Sequence, residues 1–305
     1  MRLLVRSGLY SLLGIIFLLV TACGERKVTG DALIVAVSVQ PHAWLVEQIG
    51  GERVDVIALL SPGDSPSTYQ PTDAQISRVM RARLFFRTGV PFEHGRWFNT
   101  LESSDGLDII DLRTGVELRD MEHEHSHEGE EPSGTTAGTS EEDSGTDPHI
   151  WVSPTHLKIQ AHGVADALSS ADPEGSEEYH RRLEEMEAEL DALGEYIHAR
   201  LDIHQGKAFY VFHPAWGYFA EEFGLHQKAI EIEGKDPSDH DLTLIQEDMR
   251  ADDASVIFVQ PQIGSRAIEA VAAAVGAEVQ ILDPLVRDVI SNLRAVADAI
   301  AGTFR

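Results

Sequence analysis

The chain has 305 residues, with 24 Lys and Arg against 51 Asp and Glu and a formal net charge of −27. That balance excludes nucleic acid as the partner, because phosphate-binding surfaces need clustered Lys and Arg, while an acidic surface favours solubility and attracts cations. Cys23 is the only cysteine, which excludes an internal disulfide, a thiolate zinc site and a cysteine nucleophile.

The N-terminus reads as an export signal and not as part of the fold. Arg2 and Arg6 precede an apolar run from Leu12 to Val20, and Thr21-Ala22 lead into Cys23. A basic start, a short apolar run and small residues before a cleavage point describe a secretory signal. The run is shorter than the roughly 20 residues a spanning helix needs. Residues 1–22 are read as a signal peptide, and Cys23, placed as in the lipobox of bacterial lipoproteins, as the lipidated head of a tether over 23–31. The mature chain is then exported and held at the periplasmic or outer face of the cytoplasmic membrane by its lipid.

The continuous apolar run at 32–39 predicts a strand buried on both faces, as in a parallel sheet covered by helices. Similar runs recur at 83–88, 108–112, 208–213, 255–260 and 278–283, with helical patterns between most of them: His42 to Gly50, Pro71 to Ala82, Pro214 to Phe223, Asp241 to Ala251 and Ser265 to Val275. This alternation predicts an α/β protein with mainly parallel sheets. From Tyr179 to Leu201 the apolar residues Leu183, Met186, Leu190, Leu193, Ile197 and Leu201 recur at steps of three and four. Such a helix, over about 30 Å long, falls between two α/β halves and is expected to act as a strut. The expected organisation is an N-terminal lobe over 32–174, a spanning helix over 175–203 and a C-terminal lobe over 204–305. Residues 121–147 are rich in His, Glu, Gly, Ser and Thr and lack Lys and Arg, so disorder without metal is expected there.

Three metal-competent side chains stand at element ends. His149 follows Asp147-Pro148, a turn-forming pair. His213 follows the run Ala208 to Phe212, with Pro214 expected at the first position of a helix. Asp283 follows the run Glu278 to Leu282. Ligands of open α/β sheets bind beyond the carboxyl ends of strands, so the three are expected to converge between the lobes. Two imidazoles and a carboxylate suit zinc, with manganese the alternative. His123, His125 and His127 form an alternating triplet in the acidic loop, an auxiliary and weaker metal site.

Several stretches resemble one family. They are Pro62-Gly63-Asp64-Ser65-Pro66-Ser67-Thr68-Tyr69-Gln70-Pro71, Asp147-Pro148-His149-Ile150-Trp151-Val152-Ser153-Pro154, His213-Pro214-Ala215-Trp216-Gly217-Tyr218-Phe219, Glu233-Gly234-Lys235-Asp236-Pro237-Ser238, Phe258-Val259-Gln260-Pro261-Gln262 and Asp283-Pro284-Leu285. Together they resemble the zinc- and manganese-binding lipoproteins of bacterial ABC importers, over about Leu33 to Arg305. The resemblance implies two lobes joined by a long rigid helix, no catalysis, and capture of a metal for an ABC permease driven by a cytoplasmic ATPase, by a monomer. It also shows a departure: Ser67 stands where the family normally carries its first histidine ligand. A neutral serine is a poor zinc ligand, and zinc prefers four donors. The missing donor is sought in water, a loop histidine, His42 or Glu93, with Glu233 a candidate to orient a ligand imidazole. Two other readings remain open at this point: a secreted zinc-dependent hydrolase, because three protein ligands plus water resemble a catalytic zinc, and a metal-binding adhesin.

Overall fold

The computed structural model describes residues 32–121, 145–231, 237–263 and 265–304. Its first sheet is formed by β1 (Leu33–Val37), β2 (Val54–Ala58), β3 (Leu84–Arg87) and β4 (Asp108–Asp111), in the order β2-β1-β3-β4 and parallel throughout. Helices α1 (Gln40–Gly50), α2 (Asp73–Val79) and α3 (Arg96–Glu102) connect these strands, and α4 (Pro154–Ala171) follows them. After α5 (Ser176–Leu201) the pattern repeats. Strands β5 (Ala208–Val211), β6 (His226–Ala229), β7 (Val256–Val259) and β8 (Glu278–Ile281) pair in the order β6-β5-β7-β8, again all parallel. Between and after them run α6 (Gly217–Glu222), α7 (Asp239–Ala251), α8 (Ser265–Val275) and α9 (Val289–Thr303). Two parallel sheets flanked by helices, one on each side of a long helix, give the expected two-lobe α/β architecture.

The apolar runs became strands for the reason expected of them. Val35, Ala36, Val37, Phe85 and Phe86 are fully buried, and all of β7 is buried. The sequence reading missed β2 and β6. Both are edge strands, and their sequences, Val-Asp-Val-Ile-Ala and His-Gln-Lys-Ala, leave polar side chains half exposed. The other two edge strands, β4 and β8, fall within the runs at 108–112 and 278–283, so it is the polar content of β2 and β6 that hid them.

Helix α5 runs for 26 residues, about 39 Å at 1.5 Å per residue. Its buried residues are Tyr179 and the six apolar positions picked out by spacing. This stripe packs against α1 and α4 of the first lobe and α9 of the second, and Tyr196 donates its hydroxyl to Asp298 on α9 at 2.8 Å. One apolar core runs from β1 through α5 to α9, while a smaller one covers the other face of the second sheet. Separating the lobes would expose the shared core at a cost of about 25 cal/mol per Å². No helix among the described residues is long and apolar enough to cross a membrane. Residues 1–31, with the expected signal and Cys23, lie outside the described part.

Candidate metal centre

His149 lies in the turn before Ile150-Trp151-Val152, and His213 lies just beyond β5. The turn is built locally. Asp147 accepts both the backbone N–H of His149 (3.0 Å) and its ring Nδ1–H (2.8 Å). Ser153 then caps α4 by accepting the N–H of His156 at 3.0 Å. His213 Nδ1 lies 2.5 Å from Glu231 Oε1. A carboxylate only accepts hydrogen bonds, so each imidazole donates from Nδ1 and keeps its lone pair on Nε2. This is the arrangement by which carboxylates orient metal-binding histidines and raise their basicity.

The turn carrying His149 is fastened to the opposite lobe. Trp151 donates its indole N–H to the Pro284 carbonyl at 2.7 Å. Tyr218, on α6, donates to the Asp147 carbonyl at 3.0 Å and accepts the Arg119 amide at 3.1 Å, and burial pushes its hydroxyl pKa up to about 12. Gly217 gives the Arg119 guanidinium room, because a Cβ there would clash with it. Glu222 accepts from the Ser153 hydroxyl and, at 2.7 Å, from the Thr155 hydroxyl.

The two histidine rings sit nearly edge to face, with centroids 5.3 Å apart and an interplanar angle of 74°. Two imidazoles sharing a tetrahedral zinc at about 2.0–2.1 Å per Zn–N bond have centroids roughly 5 Å apart. The pair therefore has the spacing of two ligands of one ion. They face a cavity of about 180 Å³, also lined by Ser65, Ser67, Glu231, Gln260 and Gln262. That volume has room for a cation and several waters.

Asp283 is not gathered with them. Among the described residues, no three His, Cys, Asp or Glu side chains form a metal-holding group. The Asp283 carboxylate takes Gln262 Nε2 at 3.0 Å and the Leu285 amide at 2.9 Å, and it borders a neighbouring cavity of about 290 Å³ with Gln40 and Arg287. Gln262 and Leu285 line both cavities and form the wall between them.

Two of the fourth-ligand candidates are otherwise engaged. His42 is fully buried, and its nitrogens meet Thr88 Oγ1 (2.9 Å) and Gln160 Oε1 (2.6 Å). Burial lowers its pKa to about 4. Gln160 donates onward to the Ile150 carbonyl at 3.0 Å, so His42 supports the His149 turn from behind. Glu93 accepts the Ser38 hydroxyl and the amides of Thr88 (3.0 Å) and Gly89 (2.7 Å), and burial raises its pKa despite them. Neither lines the cavity, whereas Ser67 does. Pro214 does not open a helix as expected: Ala215 N bonds His213 O at 2.9 Å and α6 begins at Gly217. His123, His125, His127 and Glu233 lie outside the described residues. The orienting contact sought from Glu233 is made by Glu231, two residues earlier. Asp147, Glu231 and Gln260 were missed by the sequence reading. Two of them had a signal: Asp147 and Gln260 stand inside stretches that carry the family resemblance, Asp147 two residues before His149 and Gln260 just after a buried strand.

Comparison with known proteins decides the family. The family described as zinc-uptake complex component A, periplasmic (ZnuA), matches residues 35–302. The chain belongs to this family. ZnuA proteins are substrate-binding proteins of ABC-mediated zinc or manganese uptake. The high-affinity zinc uptake system protein ZnuA of Bacillus subtilis (strain 168) is 26% identical over 293 residues, covering 92% of this chain and 88% of that protein. A putative metal-binding protein of Chlamydia trachomatis is 25% identical over 292 residues, covering 94% and 99%. A solved ZnuA crystal structure superposes with a TM-score of 0.78 at 33% identity, over 90% of this chain and 99% of that one. A ZnuA deletion mutant with zinc bound gives a TM-score of 0.78 at 32% identity, over 90% and 98%.

Proposed function

We propose that this protein captures zinc, with manganese the alternative cargo, in the cavity between its lobes and delivers it to an ABC permease powered by a cytoplasmic ATPase. The observation that carries the reading is the imidazole pair: His149 and His213, from different lobes, stand 5.3 Å apart with both Nδ1 atoms held by carboxylates. Their Nε2 atoms hold the cargo. Asp283 is the third protein ligand, freed for the metal when Gln262 releases its Oδ1. Work of this kind is capture and release without catalysis, by a monomer. Processing at Cys23 and lipidation keep the protein beside its permease, outside the cytoplasmic membrane. The loop histidines His123, His125 and His127 gather metal weakly, because an acidic segment of that composition offers little preorganisation.

Calorimetric titration of the metal-free protein with zinc tests this. One strong event is expected, abolished in His149→Ala/His213→Ala and weakened in Asp283→Asn, with weaker events lost on deletion of 121–146. Survival of the strong event in the double variant would refute the site.

A further inference from the structure

The site as proposed lacks a donor, since Ser67 stands in the cavity wall with only a hydroxyl. One side chain in the same wall has an unmet need. Gln260 directly follows β7, at the carboxyl end of a central strand, and is 8% exposed. It lines the cavity with His149 and His213. Its Nε2 is buried and has no hydrogen-bond partner among the described residues. Burying an unpaired carboxamide is unfavourable, and a leucine of similar size would avoid that cost. The neighbouring Gln262 shows the contrast: its amide is satisfied by Asp283.

Resting on the uptake reading above, we propose that Gln260 is a direct ligand of the cargo ion and supplies the donor that Ser67 does not. The terminal torsion of glutamine is broad and roughly two-fold, so the carboxamide can present its carbonyl oxygen to the cavity while the buried N–H₂ stays on the inner side. That oxygen then points a lone pair at the cation, as carbonyl ligands do for hard and borderline ions. The donor set becomes two imidazole nitrogens, the Gln260 carbonyl oxygen and the Asp283 carboxylate: four protein donors, the number zinc prefers. No proton moves, and the amide stays neutral. The lobe carrying His213 and Asp283 then provides three of the four donors, and His149 closes the set from the other lobe.

The test uses Gln260→Leu and Gln260→Glu in the purified protein, with zinc and cobalt(II) as probes. Zinc dissociation constants come from competition with a chromophoric chelator, and the cobalt(II) visible spectrum reports donor type and coordination number. Gln260→Leu is expected to weaken zinc about 10-fold or more, the scale of loss seen when a metal site is disturbed, and to change the position and intensity of the cobalt bands. Its metal-free melting temperature should equal or exceed that of the parent, because an unpaired buried amide is gone. Gln260→Glu, which keeps an oxygen at the same reach, should recover most of the affinity. An unchanged cobalt spectrum and zinc constant in Gln260→Leu would overturn the proposal while leaving the uptake reading intact, provided His149→Ala/His213→Ala abolishes binding. A fall in metal-free stability with an unchanged cobalt spectrum would make Gln260 structural and also overturn it. A parent protein that binds neither metal would remove the uptake reading itself.

Discussion

Trp151 and Pro284, 133 residues apart, are joined by a 2.7 Å hydrogen bond from the indole N–H to the proline carbonyl. The bond crosses between lobes. It links the turn that carries His149 to the residue that follows Asp283, so the two sides of the site share one fixed point. The Trp151 ring also meets the His149 and His42 rings edge to face, with centroids 5.4 and 5.5 Å away.

Trp151→Phe keeps the ring and removes the donor. The Pro284 carbonyl is then buried without its partner, which costs about 1–3 kcal/mol. Urea denaturation of the metal-free variant should show a loss of that size, together with weaker zinc binding as the His149 turn loosens. Unchanged stability would mean that the carbonyl finds another donor.

Asp147 and Glu231 set the tautomers of the two histidines. Replacing either carboxylate by alanine frees the ring to rotate and to place its proton on Nε2, the nitrogen proposed to hold the cargo. Asp147→Ala and Glu231→Ala are each expected to lose about 10–100-fold in zinc affinity, measured by chelator competition, with both proteins still folded. Losses under about threefold would indicate that packing alone orients the rings.

His42 makes stability depend on pH. Its folded pKa is about 4, lowered chiefly by burial, against about 6.5 in an unfolded chain. Between these values the unfolded chain binds a proton that the folded chain does not, so stability falls as pH drops from 6.5 towards 4 and this contribution levels off below. The full effect is on the order of 3 kcal/mol. Unfolding curves across that window for the parent and His42→Gln should converge as pH falls, since only the parent carries this slope. Parallel curves would rule it out.

The shared core limits lobe motion. Leu193 and Ile197 of α5 are fully buried, and the same core continues into α9 of the second lobe. Small-angle scattering of metal-free and zinc-loaded protein is expected to give radii of gyration within about 1 Å, against roughly 19 Å expected for a compact chain of this size. Leu193→Ala should cost about 2–5 kcal/mol in a single unfolding transition, because it opens a cavity in a core common to both lobes. Two separate transitions would instead mark independent lobes.

Central strands, the spanning helix and the two histidines were legible in the sequence because each is encoded locally. A run such as Leu33-Ile34-Val35-Ala36-Val37 has no exposed face to carry polar residues. The α5 stripe declares itself by the helical period, and Asp-Pro-His and Phe-His-Pro mark turns at strand and helix ends. Strands β2 and β6 were not legible, because Asp55 interrupts the apolar residues of β2 and Ala229 is the one apolar residue of β6, whereas the edge strands β4 and β8 keep apolar residues enough to be read. The carboxylate partners were not legible either: Glu231 meets His213 across 18 residues, and no local pattern distinguishes it from Glu233.

The sequence by itself determined the α/β class, the strut and the residue types offered to a metal, all of which follow from hydropathy period, composition and turn chemistry. Tertiary structure alone decided which of those groups share a cavity. His42 and Glu93 stood as candidates for the missing fourth donor, yet packing locks them into buried hydrogen bonds with Thr88, Gln160 and Ser38. Asp283 is turned towards Gln262, and Gln260 is left with an unpartnered amide. A donor's identity is written in one residue, but its availability depends on every neighbour that competes for its lone pairs and protons, and those neighbours are assembled only when distant segments pack.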